Sequence, residues 1–239
     1  MDIKIKYSYD GSKFYGMQRQ KDKITVQGEI EKVLLNVFNE KINLITSGRT
    51  DTNVHALAQV SNFTIKKEIP LYAIKEQINK TLYGKIKIDE ISYCSNFNSR
   101  YDAKYRTYVY HLKYEKDINP FEANYITTIK NENIDIGILN EKLKLFIGEH
   151  DFLLFSKKDK ENKNTVRNII NAYASKQNDT FIITITGNSF LRSMVRMIVA
   201  SCIYEDKLEI ENKLNLQKTK KFKKILSASG LYLKEVIYD

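Results

Sequence analysis

Arg49 and Asp51 stand two residues apart in the stretch SGRTDTNVHA (Ser47–Ala56), which packs small and polar residues together. A guanidinium close to a carboxylate keeps the acid ionised, the state in which it acts as a nucleophile or a base at neutral pH. The same pair can equally hold a structural turn by an ion pair, and the local spacing does not choose between the two. Gly48 and Asn53 tolerate positive φ, so tight turns around Asp51 cost little. His55 follows on the strand side, where a lone histidine is more often structural than catalytic. Cys94 and Cys202 have no metal-ligand spacing; they read as small buried hydrophobes of a reducing compartment, and no disulfide is expected.

These residues need elements to hold them. Asp2–Tyr9 alternates, with Ile3, Ile5 and Tyr7 on one face and Lys4 and Lys6 on the other, the period of a half-buried strand that Asp10-Gly11 breaks. Val26, Ile30, Val33, Leu34, Val37 and Phe38 then recur at helical spacing, with Thr25 as N-cap. A short strand (Asn43–Thr46), the loop from Gly48 to Ala56, a strand from Gln59 to Ile65, a helix opened by Pro70 and ending near Gly84, and a strand from Ile86 to Tyr93 follow. The second half repeats this grammar. Strands are expected at Tyr105–Tyr114, Asn168–Ala174, Thr180–Thr186 and Leu231–Tyr238, and helices at Ile138–Ile147, closed by Gly148, and Phe190–Tyr204. Leu191, Met194, Val195, Ile198, Val199 and Cys202 form one stripe of the latter.

The class is therefore α+β, with two related subdomains of mostly antiparallel mixed sheet flanked by helices. Residues 1–100 form the first and 101–239 the second, without a Pro/Gly/Ser linker between them. The run Lys157–Lys163 reads as an exposed loop. The basic run Lys218–Lys224 reads as a solvated helix face rather than a dedicated site.

The chain has 239 residues, 42% of them hydrophobic, enough for a sizeable core. Lys and Arg number 39 against 29 Asp and Glu, a net charge of +10. That excess favours a polyanionic partner, although an AT-rich genome enriches Lys, Asn and Ile by itself. The start MDIKIKYSYDG has no apolar leader core and no run approaches a membrane span, so a cytoplasmic protein without membrane attachment is expected.

Seven segments in register resemble the TruA family of tRNA pseudouridine synthases: YDGSKFYGMQRQ (Tyr9–Gln20) with TVQGEIE (Thr25–Glu31), SGRTDTNVHALAQV (Ser47–Val60), FNSRYDAKYRTYVYHL (Phe97–Leu112), GEHDFLLFSK (Gly148–Lys157), TVRNI (Thr165–Ile169), GNSFLRSMVRMIV (Gly187–Val199) and the terminal SGLYLKEVIYD. The resemblance implies the pseudouridine synthase fold, with the active-site cleft between the subdomains. It also implies isomerisation of uridine to pseudouridine at positions 38–40 of the tRNA anticodon stem-loop. Asp51 matches the family's catalytic aspartate, attacking C1′ or, in the competing proposal, C6. Arg49 matches the loop arginine that pairs with it. Tyr108 matches the active-site tyrosine, able to stack on uracil and near enough to take part in proton transfer. For Tyr110 a core role fits better. Arg196 matches a second active-site arginine, and Arg192 one helical turn earlier adds positive potential. Asp10, Gln18 and Gln20 are expected to shape the cleft and bind RNA, though turn capping fits Asp10 equally well. Leu231 and Leu233 are expected to form apolar pocket wall or core. The resemblance implies tRNA as partner, a homodimer, and no cofactor or metal.

Several positions depart from the family pattern: Asn53 where glycine is usual, no Trp near Met17, LYGKIKI (Leu82–Ile88) without its proline, and SRY (Ser99–Tyr101) for ARF. No catalytic group is lost, but cleft-lining residues set which RNA docks. A paralogue acting at another tRNA or ribosomal RNA site, or an idle RNA-binding protein that keeps the scaffold, are the alternatives.

Overall fold

A computed structural model describes residues 1–130, 133–158, 164–216 and 220–238. The chain divides into two compact units, Met1–Lys104 with Tyr232–Asp239, and Tyr105–Leu231.

In the first unit, β1 (Asp2–Tyr9) buries Ile3, Ile5, Tyr7 and Tyr9 and turns the intervening residues toward solvent, as its alternation requires. It pairs antiparallel with β3 (His55–Thr64) on one side and β4 (Ile86–Cys94) on the other. The short β2 (Ile45–Thr46) also pairs with β3. The terminal strand (Leu231–Ile237) returns to this unit and lies parallel to β3, Tyr232 opposite His55 and Leu233 opposite Ala56. Strand β3 thus begins four residues before the expected start, so His55 and Ala56 belong to the sheet rather than the loop.

Helix α1 (Val26–Phe38) starts where Thr25 Oγ1 accepts the Gly28 N–H at 3.2 Å and ends at Asn39, which adopts φ 53°. Its face of Val26, Ile30, Val33, Leu34 and Phe38 is buried. Each such aliphatic side chain contributes about 1.5–3 kcal/mol by leaving water. Helix α2 (Leu71–Thr81) follows Pro70, whose fixed φ suits the entry, and packs on α1 and β4. It stops short of Gly84, which takes the positive-φ turn (φ 70°) into β4.

In the second unit, β5 (Tyr105–Tyr114) pairs parallel with the short β6 (Thr127–Ile129) and antiparallel with β9 (Thr180–Gly187). Strand β8 (Val166–Gln177) lies between β9 and β7 (Gly148–Asp151), antiparallel to both. Helices α3 (Ile136–Lys144), α4 (Met194–Tyr204) and α5 (Lys207–Leu214) complete it. The α+β class and mostly antiparallel pairing are as expected, while β6, β7 and α5 are elements that the periodicity did not reveal.

Three expectations are corrected. The helix expected at Ile138–Ile147 begins earlier, at Ile136, because Asp135 caps it by accepting the Ile138 N–H at 2.9 Å. The helix expected from Phe190 begins at Met194, since Ser193 adopts φ 60° and cannot continue a right-handed helix. Arg192 therefore lies in the preceding turn, not one helical turn before Arg196 on the same face. Finally, the basic run is not helical over Lys220–Lys224, where Phe222 is buried; Lys218 and Thr219 fall outside the described residues. In the polar run, Lys157 and Lys158 are exposed and residues 159–163 fall outside the description. Cys202 is buried in α4, whereas Cys94 on β4 is only half-buried; burial raises the pKa of both thiols.

Candidate active site

The Asp51 loop joins β2 to β3 and is tied at both ends. Ser47 donates its N–H to the Val60 carbonyl at 2.9 Å and its hydroxyl to Gln59 Oε1 at 2.5 Å. Gln59 is fully buried and returns its amide Nε2 to the Gly48 carbonyl at 3.1 Å. Thr50, next to Asp51, is buried; its hydroxyl lies 2.8 Å from the Tyr9 hydroxyl and its carbonyl accepts the Met17 N–H at 3.1 Å. A turn closes after Asp51, whose carbonyl accepts the Val54 N–H at 3.2 Å. Asn53 provides the left-handed residue of that turn at φ 64°, the conformation for which the family's usual glycine is suited. Asp51 ends half-buried and Arg49 exposed.

The segment after β1 wraps this loop. A Cβ on Gly11 would lie 2.2 Å from the Val54 carbonyl oxygen, and one on Gly16 (φ 92°) 2.9 Å from the Thr50 carbonyl oxygen. Only residues without a side chain let the two backbones approach so closely. Gly11 also donates its N–H to His55 Nδ1 at 3.1 Å, and the His55 ring stacks on Tyr232 with centroids 4.7 Å apart. Asp10 caps the 3-10 turn Gly11–Lys13: its Oδ1 accepts from the Ser12 N–H (3.0 Å) and hydroxyl (2.7 Å). Gln18 and Gln20 are exposed, and Gln20 Nε2 donates to the Tyr15 carbonyl at 2.8 Å. The turn-capping alternative for Asp10 is the one seen here; sequence reasoning took Gly11 only as part of a strand break, and Tyr9, Gly11, Gly16 and Met17 are the supports it missed.

In the second unit Tyr108 is half-buried on β5, opposite Ile185 of β9, and its ring makes a T-shaped contact with Phe190, centroids 5.1 Å apart. Tyr110, two residues on, is fully buried and donates its hydroxyl to the Ser227 carbonyl. Burial drives its pKa far above the ordinary tyrosine value, against the opposing pull of hydrogen bonds with Thr127 and Arg196 and of the Arg196 charge. The hydroxyl therefore stays protonated. Arg196, partly open on α4, donates its Nε–H to the Leu226 carbonyl at 2.8 Å. Its guanidinium is thus held between the Tyr110 hydroxyl and the carbonyl strap of Leu226 and Ser227, a network that spacing alone does not announce. Arg192 is exposed, its carbonyl accepting the Lys157 N–H at 3.0 Å. Leu231 and Leu233 are both buried. Arg49 and Asp51 accordingly share one loop of the first unit, while Tyr108 and Arg196 stand on regular elements of the second.

Among the described residues no helix is long and apolar enough to cross a membrane, and no group of three or more His, Cys, Asp or Glu could hold a metal ion. A family model described as tRNA pseudouridine synthase matches residues 5–102 and 143–239. The chain belongs to that family. The two matched stretches of the synthase model contain the whole Asp51 loop, the segment that wraps it, and Arg196; Tyr108 lies between them. Full-length relatives bridge that interval. The chain is 38% identical over 245 residues to the tRNA pseudouridine synthase A of Fervidobacterium nodosum, covering 99% of both chains. It is 37% identical over 246 residues to that of Borrelia turicatae, again covering 99% of both. To the tRNA pseudouridine synthase A 2 of Clostridium tetani it is 37% identical over 253 residues, covering 100% of this chain and 99% of that one.

Proposed function

We propose that this protein isomerises uridine to pseudouridine in tRNA, at positions 38–40 of the anticodon stem-loop, with Asp51 as nucleophile. Membership of the synthase family over nearly the whole chain carries this reading. The construction of the loop supports it, since a carboxylate that must attack one carbon needs a fixed approach. A stacked uridine must first leave the helix, at a cost of about a few kcal/mol, which aromatic faces and guanidinium groups partly recover. In the reading we favour, an Asp51 carboxylate oxygen bonds to the ribose C1′ as the N1–C1′ bond breaks. The uracil leaves as its anion and turns, C5 displaces the aspartyl oxygen at C1′, and C5 gives up its proton as N1 gains one, so that the product is an isomer of the substrate. Attack at C6 is the alternative route to the same product.

Arg49 serves as the cation beside Asp51 and fills the gap left by the flipped nucleotide. Tyr108 stacks on the uracil, its hydroxyl available for proton transfer, and Arg196 supplies positive charge to the same nucleotide. Asp10, Gln18, Gln20, Arg192 and Leu231 serve docking and shape rather than chemistry. The chain acts in the cytoplasm as a homodimer, which sedimentation of the free protein tests.

Asp51→Ala should lower pseudouridine formation by roughly 10⁴-fold or more while tRNA binding persists, as expected when a nucleophile alone is removed. Turnover near the wild-type rate would refute the assignment. Mapping pseudouridines in tRNA and ribosomal RNA treated with wild-type protein tests the target positions. Modification elsewhere would instead favour a paralogue of shifted specificity, to which the absence of Trp from the chain points.

A further inference from the structure

We infer that His55 is a positioning residue for the Asp51 carboxylate, acting through a neutral imidazole that latches Gly11 to the loop; this rests on the synthase reading above. His55 is 2% exposed, and its Nδ1 accepts the Gly11 N–H at 3.1 Å. Accepting that bond requires a lone pair on Nδ1, so the ring is neutral and carries its proton on Nε2. Asp10 Oδ1 lies 3.4 Å from the same nitrogen but takes its short hydrogen bonds from Ser12. Stacking on Tyr232 fixes the plane of the ring, so the lone pair points where Gly11 is.

The latch matters because of where it sits. Asp51 is bracketed by two anchors: Thr50 on one side, held by Tyr9 and Met17, and His55 on the other, held through Gly11. Between them runs the turn closed by the Val54 N–H and the Asp51 carbonyl. Release of the second anchor leaves the backbone of His55 in the sheet but frees the Gly11 segment that presses on the turn after Asp51, and leaves the buried Gly11 N–H without its acceptor. The carboxylate then samples directions from which it cannot attack, which slows the bond-making step without touching the RNA-binding surface.

The test compares three variants in single-turnover pseudouridine formation, tRNA binding and thermal melting. His55→Asn keeps an acceptor oxygen near the position of Nδ1, His55→Leu removes it, and His55→Gln retains a polar side chain but carries its amide past Gly11. His55→Leu and His55→Gln should slow the single-turnover step on the order of tenfold to a hundredfold with tRNA affinity unchanged, and His55→Asn should recover most of the rate. Should the leucine variant fail to fold, the Gln–Asn pair carries the same comparison. Equal rates in Gln and Asn overturn the proposal, whether both are fast or both slow, as does a loss of rate that tracks melting temperature across all variants. A wild-type protein that forms no pseudouridine would instead overturn the synthase reading itself.

Discussion

Asp51 stands on an irregular loop that regular hydrogen bonding does not shape; Arg196 projects from a helix embedded in apolar side chains. The loop takes its form from backbone and hydroxyl ties to Tyr9, Gly11, Met17 and Gln59, and from two glycines that let one chain segment lie against another. Helix α4 takes its place from burial of Met194, Val195, Met197, Ile198, Val199, Ala200 and Cys202, with the Tyr110 network adding direction to one side chain. Local ties hold a group in one orientation yet contribute little to overall stability. A packed core contributes much stability and tolerates small errors of orientation poorly. Damage to the loop should therefore cost activity out of proportion to stability, and damage around α4 should cost both together.

Among variants that leave the polar groups of the site in place, the largest effect is expected at Gly11→Ala. The added methyl falls 2.2 Å from the Val54 carbonyl oxygen, so the turn after Asp51 must move. Activity should fall about a hundredfold from misplacement of the carboxylate, against a stability loss of only about 1–3 kcal/mol. Single-turnover kinetics beside a urea melt measure the ratio, and a variant that loses stability but keeps its rate would break the comparison. Tyr110→Phe comes next: it strips the hydroxyl from the Ser227 carbonyl and from Arg196. A stability loss of about 1–3 kcal/mol is expected, together with a lower kcat, and Arg196→Lys should add little further to the kinetic defect if the two act as one unit. Additive losses in that double variant would show Tyr110 to be core alone.

The smallest effect concerns a charge cluster near the end of β5. Lys113 Nζ lies 2.8 Å from Glu122 and 3.1 Å from Asp179. Hydrogen bonding to that ammonium holds both carboxyls below their ordinary pKa. Lowered folded-state values mean that the stabilisation is complete above the unfolded pKa and is lost as pH falls through the folded one. Thermal melting followed from about pH 7 down to about pH 3 should show a steeper acid decline in wild type than in Lys113→Met. Parallel curves would remove this cluster from the account.

Much of the fold was legible in the sequence because its signals are local. Alternation located β1 and all of β5, Thr25 marked the start of α1, and Pro70 that of α2. The start of α4 was not legible, because Leu191 is buried and keeps the helical apolar rhythm while Ser193 breaks the backbone behind it. The terminal strand looked like the end of the second subdomain, and only a long-range parallel pairing returns it to β3. In the site, alternation placed Tyr108 and Tyr110 on one face, and the core role expected for Tyr110 agrees with its full burial beside a half-buried Tyr108. Gly11 looked like punctuation and Gly16 carried no reading of its own, since the oxygens they approach lie about forty residues away in sequence.

The path of that terminal strand also sets an order of events during synthesis. The second unit is translated in full before Tyr232, the ring that stacks on His55, leaves the ribosome. The first unit is thus among the first parts of the chain to be made and among the last to be finished. A nascent chain holds Asp51 long before the strand that pairs beside His55 exists, so the Asp51 loop reaches its final surroundings only when translation has passed the second unit.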